Sequence, residues 1–309
     1  MAPPVYSPAM SSVSRPAAAP ASPALAALAA RLGDERLLRP ARHGAMLAMA
    51  VYVAGLAAGI VPLAVDAHAY WAADPLRPYH PVVLGDFDAY FYSPAFAQAL
   101  WPLTRLPWPL FAAAWTILLG VALRVAAGRW FGLVVVVPLV AIDLAMGNIH
   151  VLIGLAVAAG FRWPATWAFV LLTKVTPGVG LLWFAVRREW RRLAIALGAT
   201  AAVVVVSAVI RPAAWTEWIA LVSGPTAGGN AIPVPLWVRV PAAAVLVAWG
   251  ARTDRPWTVV VAAWLALPAL WWNGAAVLVG LVPLLDRPPR SPAPPAPGPA
   301  RSAAERPRA

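Results

Sequence analysis

Long apolar runs recur between residues 45 and 285, and they constrain the fold more than any other feature of the chain. Hydrophobic residues form 61% of the sequence and charged residues 12%, roughly half of the charged share found in soluble domains. A helix needs roughly 20 apolar residues to span a bilayer, and several of these runs approach that length. The sequence therefore predicts an all-α polytopic integral membrane protein.

The apolar region is expected to form one membrane domain, residues 45–286, between two cytoplasmic tails. Residues 1–44 and 287–309 have compositions typical of disordered segments, although residues 25–38 show the pattern of a short amphipathic helix. Some apolar runs are too short to cross alone, so we expect about 9–11 transmembrane or half-spanning helices and a long first extracytoplasmic loop. The expected spans are residues 45–65, 107–127, 130–146, 149–161, 164–174, 177–186, 193–210, 234–250, 257–271 and 274–285.

The basic residues are distributed asymmetrically, and their placement predicts the orientation in the membrane. Cytoplasmic turns of membrane proteins carry an excess of Lys and Arg. With a cytoplasmic N-terminus, all but five of the 24 basic residues face the cytoplasm, and both termini lie there. The five exceptions are Arg77, Arg105, Lys174, Arg211 and Arg239. Because the arginines flank apolar runs and form no separate basic domain, nucleic-acid binding is not expected.

The segment VDAHAYW places Asp66 just after the first expected span, at the boundary between lipid and water. Partial desolvation there would raise the pKa of the carboxyl group and make it a better base. His68 and Tyr70 follow at alternate positions, and Asp86 and Asp88 lie farther along the same outer loop. A solvated loop acid is an equally good interpretation of Asp66 from the sequence alone.

Asparagine and histidine side chains lie at other outer turns. In MGNIHV, Asn148 and His150 either hydrogen-bond a polar ligand or cap the two flanking helices. Asn230 lies in the glycine-rich stretch SGPTAGGN, and Asn273 follows two tryptophans. The chain has no cysteine and only four histidines, without a Glu-x-x-His pattern, so we predict neither a metal site nor a cofactor.

Lys174, in LLTKVTPG, is the only lysine of the chain and lies between two apolar runs. A cation in apolar surroundings is costly and normally has an anionic partner. Lys174 could bind a phosphate at the membrane boundary, or its long side chain could reach the lipid headgroups by snorkelling. A single lysine in an arginine-rich chain slightly favours phosphate binding.

Four motifs, taken in order, resemble glycosyltransferase family 87, the polyprenol-phosphate-sugar-dependent mannosyltransferases of the membrane-embedded GT-C type. They are DAHAYW, FYSPAFAQALWPLTRLP, GNIH followed by KVTPGVGLLWFAVRREWRR, and GGNAIPVPLWVRV. The resemblance covers residues 45–286. The chain departs from the family pattern at Asn273, where histidine is usual, at His150, where asparagine is usual, and at Ser93, where proline is usual.

The resemblance implies a GT-C-like bundle and an inverting hexosyltransferase, with mannose as the expected sugar. The donor would be a polyprenyl-phosphate sugar, the acceptor an extracytoplasmic glycan or glycolipid, and the remaining partners membrane lipids. Asp66 would be the general base, and Lys174 would meet the leaving phosphate, with Arg77 or Arg211 as substitutes. The residues expected to bind the substrates are His68, Tyr70, Asp86, Asp88, Asn148, His150, Asn230 and Asn273.

The sequence leaves two other functions open. A transporter or lipid flippase would need ionisable groups inside the bundle and an inverted repeat. The acids instead cluster in an outer loop, with only Asp143 inside an expected span, and no repeat is visible. A non-catalytic relative that binds lipid-linked glycan is the second alternative, and the departure at Asn273 supports it.

Overall fold

The computed structural model describes residues 31, 33–61, 64–82, 84–224 and 233–286, so Asn230 and both expected tail ends lie outside the described residues. Within these ranges all regular structure is helical, in agreement with the expected all-α class. The α-helices are α1 Glu35–Ala57, α2 Val65–Ala72, α3 Pro94–Thr104, α4 Trp108–Ala127, α5 Phe131–Val134, α6 Pro138–Met146, α7 His150–Ala159, α8 Trp167–Thr173, α9 Leu182–Val186, α10 Trp190–Ile210, α11 Pro212–Ser223, α12 Leu236–Thr253, α13 Trp257–Leu265 and α14 Val282–Leu285. Segments of 3₁₀ helix adjoin them at Gly128–Trp130, Pro164–Thr166, Thr176–Leu181 and Trp272–Leu281.

Two continuous helical segments of the described chain are long and apolar enough to cross a membrane, namely Trp108–Val134 and Trp190–Ile210. The pair α6 and α7 supplies a third only if it counts as one span, because its two halves are bent by 108°. Further apolar helices of 10–17 residues lie at Pro164–Thr173, Thr176–Val186 and Trp272–Leu285. These features are those of a membrane protein built partly from half-length helices, and the number of complete crossings stays a prediction.

The first helix begins before the expected span of residues 45–65 and ends within it. It begins at Glu35, where the Asp34 carboxylate caps it by accepting a hydrogen bond from the Arg36 amide at 2.9 Å. It ends at Ala57, and Gly59 follows with a φ of 70°, which glycine adopts readily. The cap and the glycine turn fix the helix ends, so α1 takes in residues 35–44 of the expected tail and stops short of residue 65.

A sharp turn between α6 and α7 brings the middle of the chain against α2. Gly147 ends α6 with a φ of 71°, and its carbonyl accepts a hydrogen bond from the Trp115 indole at 2.7 Å. A β-carbon at position 147 would collide with Ala67 of α2. Glycine is therefore required by both the backbone angle and the close approach. The turn fixes residues 148–150 beside the start of α2.

The helix α7 packs on the segment Trp272–Leu281 through two glycines. The backbones of Gly154 and Gly280 approach so closely that neither position has room for a β-carbon. Small residues permit such contacts between membrane helices, where van der Waals packing takes the place of the hydrophobic effect. The contact aligns the starts of the two segments, and Gly274 consequently lies close to the imidazole of His150.

Candidate active site

Asp66 lies in the first turn of α2, and the end of α6 holds this turn in place. The Ala64 amide donates to the carbonyl of Ala145 at 2.8 Å, which ties the start of α2 to α6. The side-chain amide of Asn148 donates to Asp66 Oδ2, also at 2.8 Å. A residue of the α6–α7 turn thus orients the Asp66 carboxylate.

Burial raises the pKa of Asp66 above its ordinary value. This effect outweighs the hydrogen bond from Asn148 and the positive charge of Lys174, both of which lower the pKa. A carboxylate with a raised pKa binds a proton more strongly, and this property suits a general base. The environment of Asp66 differs from that of a solvated loop acid, the alternative that the sequence allowed.

Asn148 is bound to its own turn and to Asp66, and ligand binding by its side chain stays a prediction. Its side-chain oxygen accepts a hydrogen bond from the Ile149 amide at 2.7 Å. Its own backbone amide donates to the carbonyl of Asp143 at 3.0 Å. With the oxygen and the backbone engaged in this way, the side-chain nitrogen donates to Asp66.

Side chains from two other segments of the bundle contact the Asp143 carboxylate. Its Oδ1 accepts a hydrogen bond from Asn273 Nδ2 at 3.1 Å and lies 2.7 Å from His150 Nδ1. Asp143 is fully buried, and His150 is only 2% exposed. Asp143 Oδ2 and His150 Nε2 make no hydrogen bond to any residue that the structure describes. The pair therefore keeps unused hydrogen-bonding capacity within the core.

Lys174 follows the last residue of α8 and is directed toward these acids. Its Nζ lies 5.3 Å from the centre of the Tyr92 ring, a cation–π arrangement. Its charge acts on both Asp66 and Asp143. This placement matches a cation that faces a polar site better than one that extends to lipid headgroups.

His68, two residues after Asp66 in α2, forms a second polar pair with Asp88. The two side chains are 2.5 Å apart at His68 Nδ1 and Asp88 Oδ1 and are each about a quarter exposed. The rings of Trp71, Phe87 and Trp108 lie 4.6–5.2 Å from the imidazole. The pair therefore sits in a partly open aromatic setting.

The remaining candidate residues have more varied positions. Tyr70 is buried, and its hydroxyl forms a hydrogen bond with the Tyr92 hydroxyl at 3.0 Å. Tyr70 thus contacts the residue whose ring lies beside Lys174. Asp86 is exposed in the turn before Asp88. Arg77 is exposed on the loop after α2, while Arg211 pairs with Glu217 at 2.9 Å. These positions leave Lys174 as the basic side chain that faces Asp66.

Sequence reasoning missed Asp143 and Tyr92 as parts of this constellation. The sequence did carry a signal for Asp143, because it is the one acid inside an expected span, and ionisable groups at that depth usually have a function. Tyr92 carried no comparable signal, since a tyrosine in an aromatic segment more often belongs to the membrane interface.

Comparison with known proteins adds one match. The model for glycosyltransferase family 87 matches residues 90–290, which include Asn148, His150, Lys174 and Asn273 and begin after Asp66. No curated protein and no solved structure matches the chain significantly. The matched region spans more than half of the sequence and contains most of the site just described. The chain therefore belongs to glycosyltransferase family 87.

Proposed function

We propose that this glycosyltransferase moves a hexose, with mannose expected, from a polyprenyl phosphate carrier to a glycan or glycolipid outside the cytoplasmic membrane. The observation that carries the proposal is the Asp66 carboxylate, which is partly buried, oriented by Asn148 and exposed to the charge of Lys174. Base, orienting donor and cation are the groups that sugar transfer from a phosphate carrier requires. Both termini are proposed to lie in the cytoplasm.

In the proposed reaction, Asp66 accepts the proton of an acceptor hydroxyl while that oxygen attacks the anomeric carbon of the donor sugar. The bond between the anomeric carbon and the phosphate oxygen breaks, and the electron pair leaves with the polyprenyl phosphate. In-line attack inverts the anomeric centre. The proton on Asp66 then passes to water, which returns the carboxylate to its starting state.

Lys174 would stabilise the negative charge that develops on the leaving phosphate. A fixed cation in a site with little water is worth more than the same cation in solution, because the surrounding dielectric constant is low. Tyr92 holds the ammonium group from one side. A lipid-linked phosphate needs no nucleotide-binding fold, and a flipped lipid carrier provides an activated sugar on the outer side of the membrane.

The aromatic setting of His68 and Asp88 would bind the acceptor sugar. Aromatic faces stack on sugar rings, and the exposed edges of the imidazole and the carboxylate can hydrogen-bond hydroxyl groups. Trp71 and Trp108 flank the imidazole, which lies close to Asp66 along α2. An acceptor held there would lie beside the helix that carries the base.

The first test is sugar transfer in membranes that contain the protein and labelled polyprenyl-phosphate mannose. Asp66→Asn should lower transfer by at least about 100-fold, because the amide cannot accept the proton. Asp74→Asn is the matched control, since Asp74 lies in the loop that follows α2, where its carboxylate accepts a hydrogen bond from the Leu76 amide. Equal transfer by Asp66→Asn and the unaltered protein would exclude Asp66 as the base and direct attention to Asp86 or Asp88.

The family match argues against the transporter and flippase alternative. A transporter would be favoured by the broken pair α6 and α7 with Asp143 buried beside the break, because discontinuous helices often bind substrates at mid-membrane. Here, however, the carbonyl of Asp143 accepts a hydrogen bond from the backbone amide of Asn148, the residue whose side chain orients Asp66. The burial of Asp143 therefore fits a role in the proposed transferase site.

A further inference from the structure

A cavity of about 570 Å³ lies at the end of the helices opposite Asp66. α7 begins beside Asp66 and ends near Arg162, while α8 runs back toward Lys174, so Arg162 and Lys174 lie at opposite ends. The turn after α7 and the first turns of α10 line the cavity. The lining residues relevant here are Arg162, Arg188, Trp190, Arg191, Arg192 and Ile195.

The cavity carries positive charge that the described residues do not neutralise. Its one lining acid, Glu189, already pairs with Arg187 at 2.9 Å and with Arg192 at 3.0 Å. Arg162 lies over the Trp163 ring at 4.9 Å, and no carboxylate of the described chain pairs with Arg162, Arg188 or Arg191. Three guanidinium groups around one cavity favour an anionic occupant.

Hydrogen bonds to the end of α12 hold the α9–α10 turn, which carries Arg188. Arg187 donates to Asp254 Oδ1 and to the carbonyl of Ala251, both at 3.1 Å, which attaches the turn to the end of α12. Arg188 has a φ of 56°, in the left-handed region where glycine is favoured.

The cavity continues onto an apolar surface. The helix α10 is long and apolar enough to span a membrane, and most of its apolar surface is exposed. Ile195, which lines the cavity, is 41% exposed, and Trp190 at the start of α10 is 60% exposed, as is typical of the membrane interface. A small soluble anion needs no adjoining apolar surface, whereas the acyl chains of a lipid do.

We propose that this cavity binds the headgroup of an anionic phospholipid, with its phosphate among Arg162, Arg188 and Arg191 and its acyl chains along α10. Basic pockets between membrane helices are suited to such headgroups. Arg162, Arg188 and Arg191 line the cavity and are exposed, so their guanidinium groups are accessible to a headgroup. The site is separate from the sugar-transfer site and does not depend on the function proposed there.

The test is lipid binding by the full-length protein in detergent, measured by native mass spectrometry during titration. Phosphatidylglycerol should bind more tightly than zwitterionic phosphatidylcholine. Arg188→Gln and Arg191→Gln should each weaken phosphatidylglycerol binding by about fivefold. Arg252→Gln, which removes the same charge from the exposed end of α12, should leave the binding unchanged.

Three results would overturn the proposal. The first is equal binding of the two lipids, and the second is a loss of phosphatidylglycerol binding in Arg252→Gln as large as in the other two variants. The third is full displacement of phosphatidylglycerol by millimolar inorganic phosphate, which would indicate a site for small anions. Arg191 lies in the regular helix α10, so its replacement tests the proposal even if Arg188→Gln disturbs the strained turn. Sugar transfer in the same variants separates a failure here from a failure of the proposed function.

Discussion

Opposing influences act on the Asp66 carboxyl group at the scale of single residues. Burial disfavours the ionised form, while the Asn148 hydrogen bond and the charge of Lys174 favour it. A base must be ionised before it can accept the acceptor proton, yet must hold that proton during attack. Asn148 therefore does more than orient Asp66, because it limits how far burial raises the pKa.

Replacing Asn148 by leucine should move the acidic limb of the pH profile of kcat/KM to higher pH. Loss of the hydrogen bond removes a stabilising contact from the ionised form, so the pKa of Asp66 rises further and the base is lost at a higher pH. A hydrogen bond to a charged group contributes about 1.5–3 kcal/mol, which corresponds to a shift of roughly one pH unit or more. The measurement is the transfer rate at subsaturating donor from about pH 4, near the ordinary pKa of a carboxyl group, up to about pH 9, so that a raised pKa falls within the range.

Gln98→Leu is the matched control for this prediction. Gln98 is another partly buried amide, and its side-chain nitrogen donates to the carbonyl of Ser207 at 3.5 Å, away from Asp66. Its replacement should leave the acidic limb unchanged. An unshifted limb in Asn148→Leu would mean that the limb reports another group.

At the scale of helices and turns, α6, α7 and the Trp272–Leu281 segment meet at Asp143. Both donors to its Oδ1 come from positions where the chain departs from the family pattern, His150 and Asn273. The histidine and asparagine thus occupy exchanged positions around one carboxylate. We expect each departure to compensate the other, and such compensation would weaken the case that the asparagine at position 273 marks a non-catalytic protein.

The exchange predicts a coupling between the two positions. His150→Asn and Asn273→His should each lower sugar transfer and the unfolding temperature, because one leaves a gap in the core and the other overfills it. The double variant restores one imidazole and one amide to Asp143 and should recover much of both losses. We expect a coupling energy of about 1–3 kcal/mol in a double-mutant cycle. Purely additive losses would show that the two side chains do not compensate each other.

The sequence predicted the helical elements better than their ends and their contacts. The apolar composition was enough to identify a helical membrane protein with half-length segments. The end of α1, in contrast, depends on a glycine turn that the run of apolar residues through position 65 conceals. The meeting of Asp143 with Asn273, 130 residues later, depends on the Gly154–Gly280 packing, which no local pattern reveals.

Arg239 illustrates the same limit. It was expected to be one of the few basic residues on the outer side. It is only 3% exposed and donates to the carbonyls of Leu265 and Leu267 at 2.7 Å each. The last carbonyls of a helix lack partners within the helix, and Arg239 satisfies those at the end of α13. The sequence gives no local sign of this role.

At the scale of the whole molecule, the two ends of the helices differ in chemistry. One end holds Asp66, Lys174 and the groups around Asp143, and the other holds the arginine-lined cavity. The excess of arginine at the second end predicts that it faces the cytoplasm. Because nucleotide sugars are made in the cytoplasm, this orientation would require a lipid carrier to supply the sugar to Asp66.

The chain contains no cysteine, so single introduced cysteines can test this orientation without a background signal. Leu76→Cys, on the exposed loop after α2, should react with a membrane-impermeant maleimide in intact cells. Thr253→Cys, at the exposed end of α12, should react only after the cells are made permeable. The reverse pattern would place Asp66 in the cytoplasm, where a nucleotide sugar could serve as donor, and the requirement for a polyprenyl phosphate would then lose its physical basis.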